Sequence, residues 1–439
     1  MTTLAEVLAR LDRFTNHEVV SSSGIAAGAL AGVSLDSMER LCALLGDPQH
    51  ATPTIHVTGT NGKGSVSAMI SELLTATGLS VGAYSSPHLS RVNERLRRDG
   101  QPISDDDLAE ALDGVLAVVD LLDVAPSWFE IMTAAAFRWF SEAPVDVAVV
   151  EVGLLGRFDA TNVVTAEVAV VTNIGPDHTD FSDGWLAKIA FEKAGIVTSG
   201  NDVVVGQLSP TLLDAVALEH PSRVLALGRD IDITDARLAY QGRTVSFSTP
   251  WGDHEDVTIP VHGAHQGVNF AIATTAVEAF FDRRLDDAVV EHAAGSVLLP
   301  CRIDVLARQP LVIVDGAHNP DAAARLAETI DEEFAPLGSR VLVLGMLEGR
   351  DPSAFLEALT PARFDVVVAT TPETPRALPS ARLAHAAEAA GWVVSEIADP
   401  MVAIERVLAD AGEEDMIVIA GSFYLVGPAR SLLLGRLAD

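Results

Sequence analysis

Eight short runs dominated by valine, isoleucine and leucine recur along the chain, and stretches of helical character separate them. The clearest lie at 54–58 (TIHVT), 145–153 (VDVAVVEVG), 167–174 (EVAVVTNI), 203–206 (VVVG), 311–314 (LVIV), 341–345 (VLVLG), 365–370 (DVVVAT) and 416–420 (MIVIA). Unbroken apolar runs, rather than alternating ones, mark strands covered on both faces; strands of that kind alternating with helices predict a parallel α/β sheet. Residues 231–262 differ: the alternation in TVSFSTPWGDHEDVTIP predicts a small antiparallel element. A chain of 439 residues exceeds what a single core usually supports. The stretch 295–302 (GSVLLPCR), after a helical segment and before a new strand–helix series, divides it into expected domains 1–297 and 298–439. No repeat of solenoid period and no low-complexity segment interrupts this plan.

Composition narrows the function classes. No apolar run reaches the roughly 18 residues that span a bilayer, and MTTLAEVLARLDRF reads as an amphipathic helix without the basic and apolar regions of a signal peptide. Cys42 and Cys301 are too few and too far apart for a disulfide framework or a zinc cluster, so a reducing cytoplasm is expected. The formal charge of −32, from 29 basic and 61 acidic residues, opposes nucleic acid and anionic membranes as partners. A small anionic substrate would need locally concentrated positive charge. Arg91, Arg95, Arg97 and Arg98, within SSPHLSRVNERLRRDG, supply such a cluster, or form a solvated helix face. No long apolar stripe demands a partner, and a monomer is expected.

The strongest local signal is HVTGTNGKGSVSAMISELL at 56–74, a strand, a glycine-rich turn and a helix expected to begin near Ser65. Gly59, Gly62 and Gly64 permit backbone shapes that aim N–H groups at a phosphate, with Thr60 and Asn61 between them. The helix start adds a positive dipole end, Lys63 a point charge, and Ser65 an oxygen near a magnesium ion. The spacing departs from the strict phosphate-loop pattern, because Val57 stands at the first glycine position and Gly64 separates Lys63 from Ser65. Two further strand ends carry chemistry. EVGLLGRFDATNVV (151–164) offers Glu151 for magnesium and Asp159 for an ammonium, and NIGPDHTD offers His178 beside Asp177. Either is also readable as a satisfied structural residue, but strand ends of α/β sheets are where ligands bind. Lys193 in IAFEKAGI reads from the residues alone as a cation capping a helix end. In the second half, VDGAHNPDAA places Asp315, His318 and Asn319, and GSFYLVG places Ser422 and Tyr424, in strand-to-helix turns suited to gripping ATP or an amino acid.

Taken in order, TGTNGKGS, YSSPHL, EVGLLGRFDATN, the DH after VVTNIGP, EKAGI, HQGVNFAIA, PCRID, DGAHNP and GSFYLVG resemble the successive signatures of the folylpolyglutamate synthase/dihydrofolate synthase family of the Mur ligase superfamily. The resemblance runs from about residue 20 to residue 430. It implies an N-terminal ATPase domain of phosphate-loop type and a smaller Rossmann-like C-terminal domain that binds glutamate. It implies ATP-dependent addition of L-glutamate to dihydropteroate or to the glutamate tail of a reduced folate, through an acyl phosphate. By the same resemblance Lys63 and the N–H groups of residues 59–65 hold phosphates, and Asn269, Arg302 and Asp315 contact nucleotide. Ser86, Glu151 and His178 match magnesium ligands. Lys193 matches a lysine that is carbamylated to serve a second magnesium, against the capping role read from the residues. Asp159, His318, Ser422 and Tyr424 would orient glutamate, with His318 among the catalytic groups. Phe129, Glu130 and Thr133, in WFEIMTAAAF, fall where the folate pocket is expected.

Three departures stand out: GLLGR where the family has GLGGR, placing Leu155 at a glycine; PCR for PGR, placing Cys301 at another; and no Leu-Gly pair after His178. They bear on acceptor specificity more than on ATP chemistry. Leucine at positive φ is costly, so the backbone at Leu155 is expected to occupy an ordinary region, with the side chain narrowing the acceptor entrance or packing beneath the loop. Two other readings remain open: a Mur-type ligase acting on a different carboxylate, and a nucleotide-binding protein without catalysis.

Overall fold

The computed structural model of the chain describes residues 2–16, 34–143, 145–176 and 183–438. The chain forms two compact units. One comprises Met1–Arg237, Thr244–Ile259 and Gly267–Val297; the other comprises Leu238–Arg243, Pro260–Gln266 and Leu298–Asp439. The second unit therefore includes two short segments from the middle of the chain that a single cut in the sequence would assign to the first.

The strands of the first unit's main sheet are β1 (Thr54–Thr58), β2 (Val81–Tyr84), β3 (Leu96–Arg98), β4 (Gln101–Pro102), β5 (Val147–Glu151), β6 (Val168–Val171), β7 (Asp202–Val205) and β8 (Arg223–Ala226). Their order is β4-β3-β2-β5-β1-β6-β7-β8, with the six strands β2-β5-β1-β6-β7-β8 parallel and the pairs β2/β3 and β3/β4 antiparallel at one edge. β1 thus lies between β5 and β6, which puts its carboxyl end at a change in winding direction, where open α/β sheets bind ligands. The alternating stretch forms β9 (Asp232–Ala239), β10 (Gly242–Thr249) and β11 (Gly252–Ile259), a separate three-stranded sheet. Every residue of β1, β5 and β6 is buried. Two apolar clusters lie side by side along one face of the sheet: one joins Tyr84, Leu96, Trp128, Ile131 and Phe137 beside Val150 of β5, and the other joins Val152, Leu155, Val171, Ile189 and Val203. The helix Lys63–Ala76, with Val66, Met69, Ile70 and Leu73 buried, packs against β1, β2 and β5.

The second unit contains β12 (Asp304–Arg308), β13 (Leu311–Val314), β14 (Arg340–Leu344), β15 (Val366–Ala369), β16 (Val394–Glu396) and β17 (Met416–Ala420). They run β12-β13-β17-β14-β15-β16, all parallel except the antiparallel edge pair β12/β13.

The arginine segment is not a helix face. Arg91–Arg98 form a short 3-10 turn and β3, and their guanidinium groups go to separate partners. Arg95 is 1% exposed, donates to His88 Nδ1 at 2.9 Å and lies 4.8 Å above the Trp128 ring. Arg91 pairs with Asp105 at 2.6 Å, Arg97 donates to the Glu94 and Gly100 carbonyls, and Arg98 reaches Ser80 and Asp99. Only Arg95 is internal, but each of the four guanidinium groups already has a partner within the protein, so the segment is not a free field for an anionic substrate.

Candidate functional site

The turn after β1 is built from close backbone packing. A side chain at Gly59 would meet Thr172 Oγ1 at 1.8 Å, and one at Gly62 would meet Asn269 Oδ1 at 3.1 Å. Gly62 also holds φ +84 as the N-cap of the helix Lys63–Ala76, which is why that helix starts two residues before Ser65. The residues after β6 strap the turn down. Thr60 N donates to Asn173 O at 3.1 Å, Asn61 N to Asn173 Oδ1 at 3.0 Å, and Asn173 Nδ2 to Asn61 O at 3.0 Å. Thr172 Oγ1 donates to Asn61 O at 2.6 Å, and Gly175 N to Thr60 Oγ1 at 2.9 Å. The first-turn N–H groups of the helix have no intrahelical acceptor and suit an anion. Ser65 is buried there, and Lys63 Nζ curls back to Gly59 O at 2.8 Å.

The flanking strands deliver oxygen donors to the same sheet edge. Glu151 ends β5 in register with Val57 of β1 and is 4% exposed. Ser86 follows β2, the other neighbour of β5. His178, after β6, lies outside the described residues. Among the described residues no group of three or more His, Cys, Asp or Glu could hold a metal ion; the donors on hand are a hydroxyl and a carboxylate. Lys193 sits in the last turn of the helix Trp185–Ala194 but is only 4% exposed, unlike a solvated capping cation. That helix end packs on the turn after β5: Arg157 N donates to Glu192 O at 2.7 Å, and a side chain at Gly156 would lie 3.1 Å from Lys193 Cα.

The expected folate-pocket residues divide. Phe129 lies against Gly153, where an added Cβ would meet its ring at 2.5 Å, and its centroid is 6.0 Å from that of Tyr84. Thr133 is fully buried, with its Oγ1 3.1 Å from the Tyr84 hydroxyl. Glu130 caps its own helix: Ser127 N donates to its carboxylate at 2.7 Å, and Glu130 N donates to Ser127 Oγ at 3.2 Å. Serine three residues ahead of a glutamate, before an apolar helix, is a capping-box pattern that the sequence displayed. Asp159 is likewise taken up by its own loop. Its carboxylate accepts from Thr161 N at 3.0 Å, Thr161 Oγ1 at 2.5 Å and Leu154 N at 2.8 Å.

Leu155 overturns the expectation of an ordinary backbone. It holds φ +59, its side chain is 4% exposed within the core, and its carbonyl accepts from Thr58 Oγ1 at 2.6 Å. Burying a leucine contributes about 1.5–3 kcal/mol, enough to outweigh a left-handed backbone costing on the order of 1 kcal/mol. Cys301 behaves in the same way, with φ +56 and a buried thiol whose pKa burial pushes up to about 12.

In the second unit, the turns after β13 and β17 meet, since those strands are neighbours. Asp315 accepts from Ile303 N at 2.8 Å and Ala317 N at 2.7 Å. Burial raises its pKa, while the nearby Arg302 opposes the rise. The Arg302 guanidinium lies 4.7 Å over the Phe423 ring, and both crowd Gly316, where a side chain would meet either at 2.5–2.6 Å. His318 Nδ1 is 2.8 Å from Gly316 O, and its ring is 5.9 Å from Phe423. Ser422 is buried and accepts from Tyr424 N at 3.2 Å.

Residues 128–277 match the Mur ligase middle domain, and 301–423 match the Mur ligase, glutamate ligase domain. The dihydrofolate synthase/folylpolyglutamate synthase of Mycobacterium tuberculosis is 37% identical, over 91% of this chain and 90% of its own. The chain belongs to the folylpolyglutamate synthase/dihydrofolate synthase family. Its fold is that of the family's solved members. M. tuberculosis folylpolyglutamate synthase complexed with ADP and AMPPCP superposes with a TM-score of 0.89, 36% identity and 98% of each chain covered. The bifunctional synthase of Yersinia pestis, complexed with AMPPNP and Mn ion, gives 0.86 at 27% identity, over 99% of this chain and 98% of its own. Within this family frame, Asn173 and Thr172, which strap the phosphate-binding turn, and Phe423, which carries the Arg302 guanidinium, were passed over in the sequence. All three lie inside quoted motifs, VVTNIGP and GSFYLVG; a strand-end amide beside a glycine-rich turn was the available signal.

Proposed function

We propose that this chain joins L-glutamate to dihydropteroate, or to the glutamate tail of a reduced folate, at the expense of ATP. The observation that carries the reading is the sheet edge itself. In a chain of this family, the phosphate-type turn, Glu151 and Ser86 leave the carboxyl ends of three adjacent parallel strands, β1, β5 and β2.

The N–H groups opening the helix Lys63–Ala76, with residues Gly59–Ser65 and the Lys63 ammonium, bind the phosphates of ATP. Asn269, Arg302 and Asp315 contact the rest of the nucleotide. Ser86, Glu151, His178 and a carbamylated Lys193 would hold two magnesium ions, and the hydroxyl, carboxylate and carbamate oxygens of that set fit the choice. A divalent cation supplies charge neutralisation as the γ-phosphoryl group moves. Phe129 and Thr133 border the acceptor, whose carboxylate takes the phosphoryl group as ADP leaves. His318, Ser422 and Tyr424 orient glutamate, whose amine attacks the acyl phosphate and expels phosphate. Burial of Lys193 against the turn after β5 supports the carbamate, which replaces a cation by an anion at the metal side. The enzyme is proposed to act as a cytoplasmic monomer; no helix among the described residues is long and apolar enough to cross a membrane.

The deciding experiment measures glutamate-dependent ADP release by the purified chain with dihydropteroate and with tetrahydrofolate. Release with either is expected, lost on chelation and restored by Mg²⁺ or Mn²⁺. Release only with an unrelated carboxylate refutes the folate reading and keeps the ligase; no release with any carboxylate and amino acid refutes both.

A further inference from the structure

The turn that follows Glu151 is held by a chain of side chains that reaches back to the middle of β1. Thr161 has one hydroxyl proton, and it donates that proton to Asp159 Oδ1 at 2.5 Å. The 2.9 Å contact between Thr161 Oγ1 and His56 Nε2 must then be donated by the imidazole. His56 therefore carries its proton on Nε2, and its buried Nδ1 is an acceptor with no partner. Full burial keeps the ring neutral, with its pKa pushed down to about 3. Beyond Thr161, the other oxygen of Asp159 accepts from Leu154 N at 2.8 Å, and Gly153 N also donates to this carboxylate. Every donor in the chain points toward Asp159, an arrangement that fits a carboxylate anion. From the opposite side Thr58 Oγ1 grips Leu155 O at 2.6 Å. Residues 153–155 are thus pinned at both ends by groups that are themselves buried, directly after Glu151.

We infer that His56, Thr161 and Asp159 are positioning residues that fix the turn after Glu151, and through it the Glu151 carboxylate, for metal and nucleotide binding. The inference rests on the proposed role of Glu151. A merely structural chain would lower stability and leave the site untouched, so the test must separate the two. Three properties are measured for the wild type, Thr161→Val and Thr161→Ser: thermal stability, direct binding of Mn²⁺ with a non-hydrolysable ATP analogue by calorimetry, and kcat for ADP release. Valine keeps the shape but removes the hydroxyl that links His56 to Asp159; serine keeps the hydroxyl. Thr161→Val should weaken Mn²⁺–nucleotide binding and kcat by about tenfold or more, as loss of a group orienting a ligand does, with Thr161→Ser within about threefold of wild type. Wild-type binding and kcat in a destabilised Thr161→Val would overturn the inference. If that variant does not fold, Asp159→Asn, nearly identical in shape, is read by the same criteria. A wild type that binds Mn²⁺ and nucleotide but turns over no substrate refutes the functional reading alone, and the binding ratio still decides the positioning role. A wild type that binds neither refutes both.

Discussion

Truncating Leu155 sets two terms against each other. Removing the buried side chain to alanine should cost about 2–5 kcal/mol, while glycine in its place also relieves the positive φ, worth on the order of 1 kcal/mol. Leu155→Gly should therefore be destabilised but more stable than Leu155→Ala, the reverse of the order at an ordinary backbone position. Urea unfolding of the two variants checks it, and a more stable alanine variant would contradict the left-handed backbone. Because the side chain faces the core rather than the acceptor, neither variant should shift KM for the folate substrate more than KM for ATP. His56 gives a second residue-level expectation. Its folded pKa of about 3 lies below the ordinary histidine value of 6.5. Below pH 6.5 the unfolded chain takes up a proton that the folded chain refuses, so stability is present above that pH and is lost as pH falls toward 3. Relative to His56→Gln, which keeps a donor to Thr161 but does not titrate, the wild type should lose up to about 1.4 kcal/mol for each pH unit below 6.5. Taking the difference cancels the buried carboxylates, such as Asp159, whose raised pKa acts with the opposite sign. Parallel pH profiles for the two proteins would count against a buried neutral His56.

At the scale of elements, the phosphate-type turn depends on both its own helix and the end of β6. Lys63→Ala should lower kcat by about 10²-fold or more, since it removes a charge that acts on phosphate, with thermal stability nearly unchanged for a half-exposed side chain. Asn173→Ala removes two hydrogen bonds to Asn61 and leaves the lysine in place. At about 0.5–1.5 kcal/mol each, it should raise KM for ATP by roughly tenfold and spare kcat. Steady-state kinetics separate these outcomes; equal losses of kcat in both variants would mean that Asn173 does more than hold the turn. The same elements show what was legible in the sequence. β1, β13 and β17 have the bounds that the apolar runs suggest, because each run ends at a glycine or aspartate that turns the chain. β2 was hidden because Gly82 interrupts its pattern to make room for Phe140, and β4 and β16 are only two and three residues long. The site was legible wherever a motif sits at a strand end. Left-handed Leu155 and the capture of Asp159 by its own loop depend on packing that residue type does not announce, whereas the Ser127–Glu130 capping box is written in the sequence.

For the whole molecule, charge sets two salt effects in opposition. Pairs such as Arg40–Asp123 and Arg382–Glu348 have both side chains well exposed. Exposed pairs of this kind are worth about 0–1 kcal/mol each, and salt weakens them. Against them stands the excess of 32 negative charges on 17901 Å² of surface, one for roughly 560 Å², or a mean spacing of about 24 Å. The Debye length is about 30 Å at 0.01 M and about 10 Å at 0.1 M ionic strength. Neighbouring excess charges therefore repel one another at the lower salt and are screened at the higher. Exposed pairs sit within 4 Å, well inside the Debye length in both conditions, and lose less over the same interval. The repulsion should win. The first thermal transition should rise by several degrees between 0.01 and 0.15 M NaCl and flatten above that, with KCl giving the same curve at equal ionic strength. At about 2–4 °C per kcal/mol for units of this size, such a rise corresponds to only one or two kcal/mol and is readily measured. A falling midpoint would show that the surface pairs dominate. A rise confined to molar salt, or one that differs between the cations, would point to specific ion effects rather than to the net charge.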